Sequence, residues 1–133
     1  MRWLQRYEPP IYTVLRVVAG LLFACHGAQK VFGVFGGGGG GHLPPLMLVA
    51  GWIELVGGLL IALGLFAAIA AFIASGEMAV AYFMGHAPHG ALPIVNKGEL
   101  AVLYCFVFLY IAARGSGPYS LDILLAKRTK RDR

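Results

Sequence analysis

The sequence predicts an all-α integral membrane protein built as a four-helix bundle. Its 133 residues are 59% hydrophobic and only 13% charged, and its mean hydropathy is +0.74, whereas soluble chains are about 45–50% apolar and about 25% charged. Apolar runs long enough to cross a hydrocarbon core of about 30 Å recur along it, without the alternation that a membrane β-barrel requires. The composition excludes a soluble domain and a nucleic-acid-binding chain, and indicates one transmembrane domain over residues 1–133.

Four apolar runs define the predicted helices. The first covers about residues 11–32 and the second about residues 46–64. The second run continues without a polar break into the third, and one straight helix of that combined length would be about twice as long as the membrane core is thick. The chain must therefore turn back, and Gly64 is the best point for the turn. The third helix then covers about residues 66–85 and the fourth about residues 98–114.

The distribution of Lys and Arg predicts the orientation, because cytoplasmic loops are enriched in these residues. Arg2, Arg6 and Arg114 fall on one side of the predicted bundle, together with the tail, residues 115–133, which is basic at its end. Both termini are therefore expected in the cytoplasm, with the tail meeting anionic lipid. On the opposite side, six consecutive glycines, 36–41, lack the other residues of a phosphate-binding loop and indicate a linker.

Ionisable residues inside the apolar runs are the strongest functional signal, because each is costly in a membrane unless it is paired or hydrated. His26 and Lys30 lie one helical turn apart on one face. Since the chain turns back at Gly64, Glu54 and Glu77 should reach similar depth. We therefore expect an outward-opening polar pocket. Its candidate lining residues are His26, Lys30, Glu54, Glu77 and Glu99.

Such a pocket suits a quinone or another small substrate, because polar groups beside apolar walls can bind its head group and exchange protons with it. An alternative is that the same charges form internal ion pairs that only fix the packing of the helices. Arg16 lies much nearer the cytoplasm, and we expect it to form a structural ion pair with Asp122. His86 and His89 offer imidazoles on the outer side, but they stand in a loop rich in Pro and Gly, and we predict no metal site.

Several short motifs together resemble the DoxX family of small bacterial membrane proteins. Their order and spacing carry the resemblance from about Tyr12 to Asp122. The motifs are Leu15-Arg16, His26-Gly27-x-x-Lys30, Ile53-Glu54-x-x-Gly57-Gly58, Gly64-Leu65-Phe66, Glu77-Met78 and Gly115-x-Gly117-x-x-Ser120-Leu121-Asp122.

The resemblance implies a multi-pass protein of the bacterial plasma membrane that is associated with redox systems, in some relatives with a thiosulfate:quinone oxidoreductase. It also implies either a membrane subunit with a quinone or small-substrate site, or a non-catalytic scaffold that tethers soluble oxidoreductases. The chain has no Cys-x-x-Cys, flavin or nicotinamide motif. We therefore expect no intrinsic cofactor, a quinone as the candidate ligand, and a soluble oxidoreductase or another membrane subunit as the partner besides the lipid bilayer.

Overall fold

The computed structural model describes residues 1–37 and 43–131, and its regular elements within those ranges are all helical. Five helices organise this part of the chain. They are α1 (Glu8–Phe32), α2 (Pro45–Leu63), α3 (Ala67–Ala81), α4 (Glu99–Arg114) and α5 (Leu121–Arg131). Short helical turns lie at Arg2–Gln5 and Pro93–Asn96. The predicted linker falls largely in residues 38–42, outside the described residues.

Three helical segments in the described ranges are long and apolar enough to cross a membrane: Glu8–Phe32, Pro45–Leu63 and Ala67–His89. The third of these consists of α3 and the turns that continue it. The predicted fourth helix is present as α4, but its 16 residues extend only about 24 Å at about 1.5 Å per residue. The all-helical membrane architecture is thus confirmed, with three rather than four candidate spans by length.

The predicted turn between the second and third helices is confirmed at Gly64. This residue ends α2 in the left-handed conformation, with φ of 69°, which glycine adopts without steric cost. Phe66 follows with φ of 49° just before α3 begins. The two positive φ values reverse the chain within three residues, so α2 and α3 form a tight antiparallel hairpin.

Helices α1 and α2 approach each other through glycines. A Cβ atom added at Gly58 would lie 2.5 Å from the backbone nitrogen of Ala24 and 2.5 Å from the carbonyl oxygen of Gly20. A Cβ atom added at Gly27 would likewise clash with the α2 backbone at Gly51 and Leu55. Small residues let membrane helices pack backbone to backbone, and this contact fixes the level at which polar side chains of α1 meet those of α2.

Aromatic and small side chains join α4 to the other helices. The ring of Phe23 on α1 lies 4.6 Å, between centroids, from that of Phe108 and 5.6 Å from that of Tyr104. The Ser75 hydroxyl of α3 donates to the carbonyl of Cys105 at 2.8 Å, so this buried polar group is satisfied. The apolar core therefore lies between α1, α3 and α4, and Ile61 of α2 contributes to it.

The C-terminal end of α3 departs from the predicted helix. Regular α-helix ends at Ala81, and the chain continues as a π-helical turn, Tyr82–His86, and a 3₁₀ turn, Ala87–His89. The wider π turn changes the direction of the side chains that follow it. Asn96 stabilises the segment that follows these turns. Its side-chain nitrogen donates to Gly90 O at 2.8 Å, and its side-chain oxygen accepts from Gly98 N at 2.8 Å.

The C-terminal segment, expected as a cytoplasmic tail, contains a helix that the sequence interpretation did not anticipate. Helix α5 places exposed apolar side chains in its first turns and basic residues after them. Its exposed apolar residues are Ile123, Leu124 and Leu125, and its basic residues are Lys127, Arg128, Lys130 and Arg131.

Candidate functional site

An ion pair between α1 and α2 forms the centre of the candidate site. The Lys30 ammonium lies 2.6 Å from Oε1 of Glu54, and the Glu54 side chain is 3% exposed while that of Lys30 is 27% exposed. The glycine contact described above sets these two helices close enough for the pair to form. Because Glu54 is buried, its carboxylate needs the Lys30 ammonium as a partner, since an unpaired carboxylate would be costly at this depth.

A groove of about 650 Å³ lies between the N-terminal half of α2 and the C-terminal half of α3. Its walls are apolar and include Val49, Ile53, Ile73 and Val80. Polar side chains line it as well: Lys30, Glu77 and His86. The groove thus combines apolar walls with a small polar set, as ligand sites commonly do.

A second cavity of about 220 Å³ lies on the other side of the ion pair, toward α4. Glu54, His26 and Lys97 line it together with apolar and aromatic side chains. Lys30 and His86 line both cavities. The two cavities therefore meet the same polar side chains.

Two carboxylate oxygens in this region are left without donors. Oε2 of Glu54 and Oε2 of Glu77 are buried, and no donor among the described residues lies within hydrogen-bonding distance of either. Buried polar atoms are normally satisfied. These two oxygens are therefore the open hydrogen-bonding positions of the site.

The structure brings together four of the five predicted pocket residues. Lys30, Glu54 and Glu77 each line the groove or the second cavity. His26 is largely exposed but also lines the second cavity. The centroid of its ring lies 6.3 Å from that of Tyr104. Glu99 is a correction: it lies exposed in the first turn of α4 and lines neither cavity. At this position its negative charge interacts favourably with the positive end of the α4 helix dipole.

His86 is the site residue that the sequence interpretation missed. The sequence places it near the predicted pocket, and with His89 as a loop pair for a metal, but does not predict it as a lining residue, whereas the π turn carries its ring to both cavities. Its Nδ1 lies 3.1 Å from the carbonyl oxygen of Asn96. Within the described ranges, no three His, Cys, Asp or Glu residues converge as a metal site would require.

A separate polar arrangement lies at the opposite end of the helices. Arg16 is 1% exposed, and its guanidinium donates to three carbonyls: Ile61 O at 2.5 Å, Ala62 O at 2.8 Å and Tyr119 O at 2.8 Å. Ile61 and Ala62 belong to the last turn of α2, where carbonyls lack helical partners. Arg16 therefore caps the C-terminus of α2.

Asp122 caps the neighbouring helix end. Its Oδ1 accepts from the backbone N–H of Phe66 at 3.0 Å, its Oδ2 accepts from the Ser116 hydroxyl, and its own N–H donates to Gly64 O at 3.1 Å. Burial tends to raise the pKa of this carboxyl, but hydrogen bonds from Ser116 and from the amides of Phe66 and Ala67, together with the positive charge of Arg16, outweigh it and lower the pKa overall.

The predicted direct ion pair of Arg16 and Asp122 is corrected by this geometry. In the described parts of the chain, the ion pairs within 4.0 Å are those of Lys30 with Glu54 and of Arg114 with Glu8. Arg16 and Asp122 instead bind opposite sides of one turn. The physical reason is that free backbone carbonyls and amides at the helix ends lie closer to each side chain than the other charge does.

Comparison with known proteins identifies the family of this sequence. The sequence model of the DoxX family matches residues 11–87. An uncharacterized protein of Haemophilus influenzae is 47% identical over 128 residues, which cover 92% of this chain and 96% of the relative. The chain belongs to the DoxX family. No solved structure matches it significantly.

The DoxX match covers most, but not all, of the polar residues described above. Residues 11–87 contain Arg16 and all the cavity-lining residues of α1, α2 and α3 discussed above, including His86. Asp122 and Glu99 lie outside the matched range. The signal that could have indicated His86 in this DoxX protein is its place just beyond the third apolar run, but its direction depends on a π turn that no sequence pattern announces.

Proposed function

We propose that this DoxX-family protein is a membrane subunit of a quinone-linked redox system and binds the quinone in the groove between α2 and α3. The observation that carries the proposal is the groove itself: about 650 Å³ with apolar walls and with Lys30, Glu77 and His86 among its lining residues. This combination suits a molecule with an apolar body and a small polar head.

The residues present fit such a ligand. Val49, Ile73 and Val80 are about half exposed and would contact a ring or tail that enters from the bilayer. The ion pair of Lys30 and Glu54 holds a polar wall at a fixed level. A bound quinone would supply the electron and proton exchange, whereas these side chains bind it, orient it and offer sites for a proton.

Electrons would come from a partner, since the chain carries no Cys-x-x-Cys, flavin or nicotinamide motif. A soluble oxidoreductase or a second membrane subunit is the partner that this proposal requires. The scaffold function is the alternative, and the exposed basic helix α5 favours it, because a projecting helix with clustered positive charge can dock an acidic protein surface or anionic lipid. In that case the buried charges would serve packing only.

The proposed topology places four helices, including α4, across the bacterial plasma membrane with both termini in the cytoplasm. Its support is the distribution of Lys and Arg and the packing of α4 against α3 and α1. Single cysteines at His89 and Lys130, in a chain whose Cys25 and Cys105 are replaced by Ala, test it in intact cells. An impermeant reagent should label position 89 only; labelling of both positions from one side contradicts the topology.

Binding tests the function. Purified protein in lipid nanodiscs, titrated with a short-tailed benzoquinone and with its hydroquinone, should bind at least one of the two. Ala50→Phe should abolish binding of both, because Ala50 lines the groove and the added ring fills it. Val56→Phe is the matched control, since Val56 lies on the same helix, is 49% exposed and lines neither cavity. Absence of binding, or binding unaffected by the Ala50 change, supports the scaffold instead.

A further inference from the structure

We infer that helix α5 lies in the interfacial layer of a bilayer that contains anionic phospholipid. Its apolar first turns meet the edge of the hydrocarbon there, and its basic residues meet the lipid phosphates. The inference goes beyond the proposed function, because it concerns the opposite end of the helices and does not depend on a ligand in the groove.

The turn between α2 and α3 fixes the level at which α5 begins. The N–H of Asp122 donates to Gly64 O at 3.1 Å, and its Oδ1 accepts from the N–H of Phe66 at 3.0 Å. This turn joins two segments that are long and apolar enough to cross a membrane, Pro45–Leu63 and Ala67–His89. The first turn of α5 is therefore anchored where these two segments end, at the boundary of the membrane core.

The first turns of α5 carry apolar side chains that the protein leaves uncovered. No residue of α5 is buried, and Ile123, Leu124 and Leu125 are 38%, 61% and 52% exposed. Three consecutive residues of a helix point in directions about 100° apart. A docked protein face would cover at most two of these directions, whereas a lipid layer surrounds the helix and covers all three.

Four exposed basic residues follow these apolar ones: Lys127, Arg128, Lys130 and Arg131. Residues 123–131 contain no acidic side chain. At about 100° per residue the four cations spread over about 160° of the helix circumference, which suits many separate phosphates better than one protein face. Anionic lipid attracts such clusters, and long basic side chains reach phosphates while their stems stay in apolar surroundings.

The order of side chains along α5 therefore matches the order of layers in a membrane. From the anchored first turn outward, apolar residues come first and basic residues second, as hydrocarbon is followed by phosphate. Helices that bind membrane surfaces combine apolar contact with attraction to anionic headgroups in this way. The charge of α5 thus identifies its partner as anionic phospholipid.

A single tryptophan in α5 tests the inference. Leu124→Trp, in a chain whose Trp3 and Trp52 are replaced by Phe, places one indole at an exposed position. The protein is placed in nanodiscs of phosphatidylcholine, or of an equal mixture with phosphatidylglycerol, with lipid brominated near the top of its acyl chains as quencher. In the mixture the emission should be blue-shifted and quenched, with the ratio of inserted to water-exposed indole about tenfold or more above that in phosphatidylcholine.

Added salt should reduce this difference, because the Debye length falls to about 3 Å at about 1 M. An indole that is exposed to water in both lipids overturns the inference and leaves an acidic protein surface as the partner of α5. Equal insertion in both lipids also overturns it, because anionic headgroups then have no role. Neither result bears on quinone binding, so the proposed function stands or fails separately. Both faces of a nanodisc are alike, so the test does not depend on the topology.

Paired charge variants locate the effect in α5. Lys130→Gln with Arg131→Gln, added to the Leu124→Trp chain, should lower insertion in the mixed lipid by about tenfold or more, since each Lys or Arg near an anionic surface contributes about fivefold. Arg2→Gln with Arg6→Gln is the matched control, because it removes the same charge from exposed residues outside α5, and it should leave the indole inserted. Equal effects of the two pairs would show that only overall charge matters and would overturn the assignment to α5.

Discussion

Arg16 and Asp122 hold the same turn from opposite sides. Arg16 donates to the carbonyls that end α2, at Ile61 and Ala62, and Asp122 accepts from the amide of Phe66 just before α3. A cation thus meets the negative end of one helix dipole and an anion meets the positive end of the next. The hairpin of α2 and α3, which contributes both site carboxylates, is positioned by this pair of caps.

Arg16→Met should destabilise the protein by about 2 kcal/mol or more, because hydrogen bonds from charged groups contribute about 1.5–3 kcal/mol each and buried carbonyls would lose their donors. Thermal and denaturant unfolding in detergent measure the change. Arg2→Met is the control, since Arg2 is exposed in the first helical turn, and it should leave stability unchanged. Equal stability of the two variants would show that Arg16 is not a cap.

Asp122 should make the stability depend on acid pH. Its folded pKa is lowered from the ordinary value of 3.8, so the ionised form stabilises the fold above that value and this contribution is lost as the pH falls through the folded pKa. Asp122→Asn should retain the cap at neutral pH but lose this acid dependence. Asp122→Ala should cost about 0.5–2 kcal/mol at pH 7, the usual cost of losing a helix N-cap.

The measurement is the unfolding midpoint between pH 2 and pH 7, so that it extends well below 3.8, compared with Glu99→Gln as a control for an exposed helix-terminal carboxylate. The same slope in wild type and in Asp122→Asn would assign the acid dependence to another group.

Adjacent glycines of α2 should respond oppositely to alanine. At Gly58 a Cβ would lie 2.5 Å from atoms of the α1 backbone, whereas at Gly57 it would meet nothing within 4 Å. Gly58→Ala should therefore cost about 1–3 kcal/mol through overpacking, and Gly57→Ala should stabilise the helix by up to about 1 kcal/mol. Unfolding of both variants in detergent decides this, and equal effects would contradict the close contact of α1 and α2.

Replacing both site carboxylates tests whether they serve the packing of the helices or the chemistry of a bound ligand. The double change Glu54→Gln and Glu77→Gln removes the unpaired carboxylate of Glu77 but also breaks the ion pair of Lys30 with Glu54. It should therefore lower stability, by less than the loss of about 3–5 kcal/mol typical of a broken buried pair, because the amide oxygen introduced at position 54 can still accept from Lys30. It should also abolish quinone-linked respiration in a host that depends on this gene, since Gln does not relay protons at neutral pH. Oxygen uptake by isolated membranes is the measurement. A folded double variant with normal uptake would favour the scaffold function.

The sequence alone determined the class of the protein, its helical runs and the turn at Gly64. These features follow from composition and run length, which report the solvent around each segment without reference to tertiary contacts. Lys30, Glu54 and Glu77 could also be predicted to converge, because depth in a membrane follows from counting residues along antiparallel helices. The expected positions of these three residues agree with the cavities.

Only the tertiary structure decided the partners of each polar group. Counting residues gives depth but neither the azimuth of Glu99, which faces away from the cavities, nor the direction of His86, which depends on a π turn. It also could not show that Arg16 and Asp122 would bind backbone groups rather than each other. Helix ends compete with side-chain charges for hydrogen bonds, and the outcome of that competition depends on distances that exist only once α2, α3 and the segment before α5 are packed.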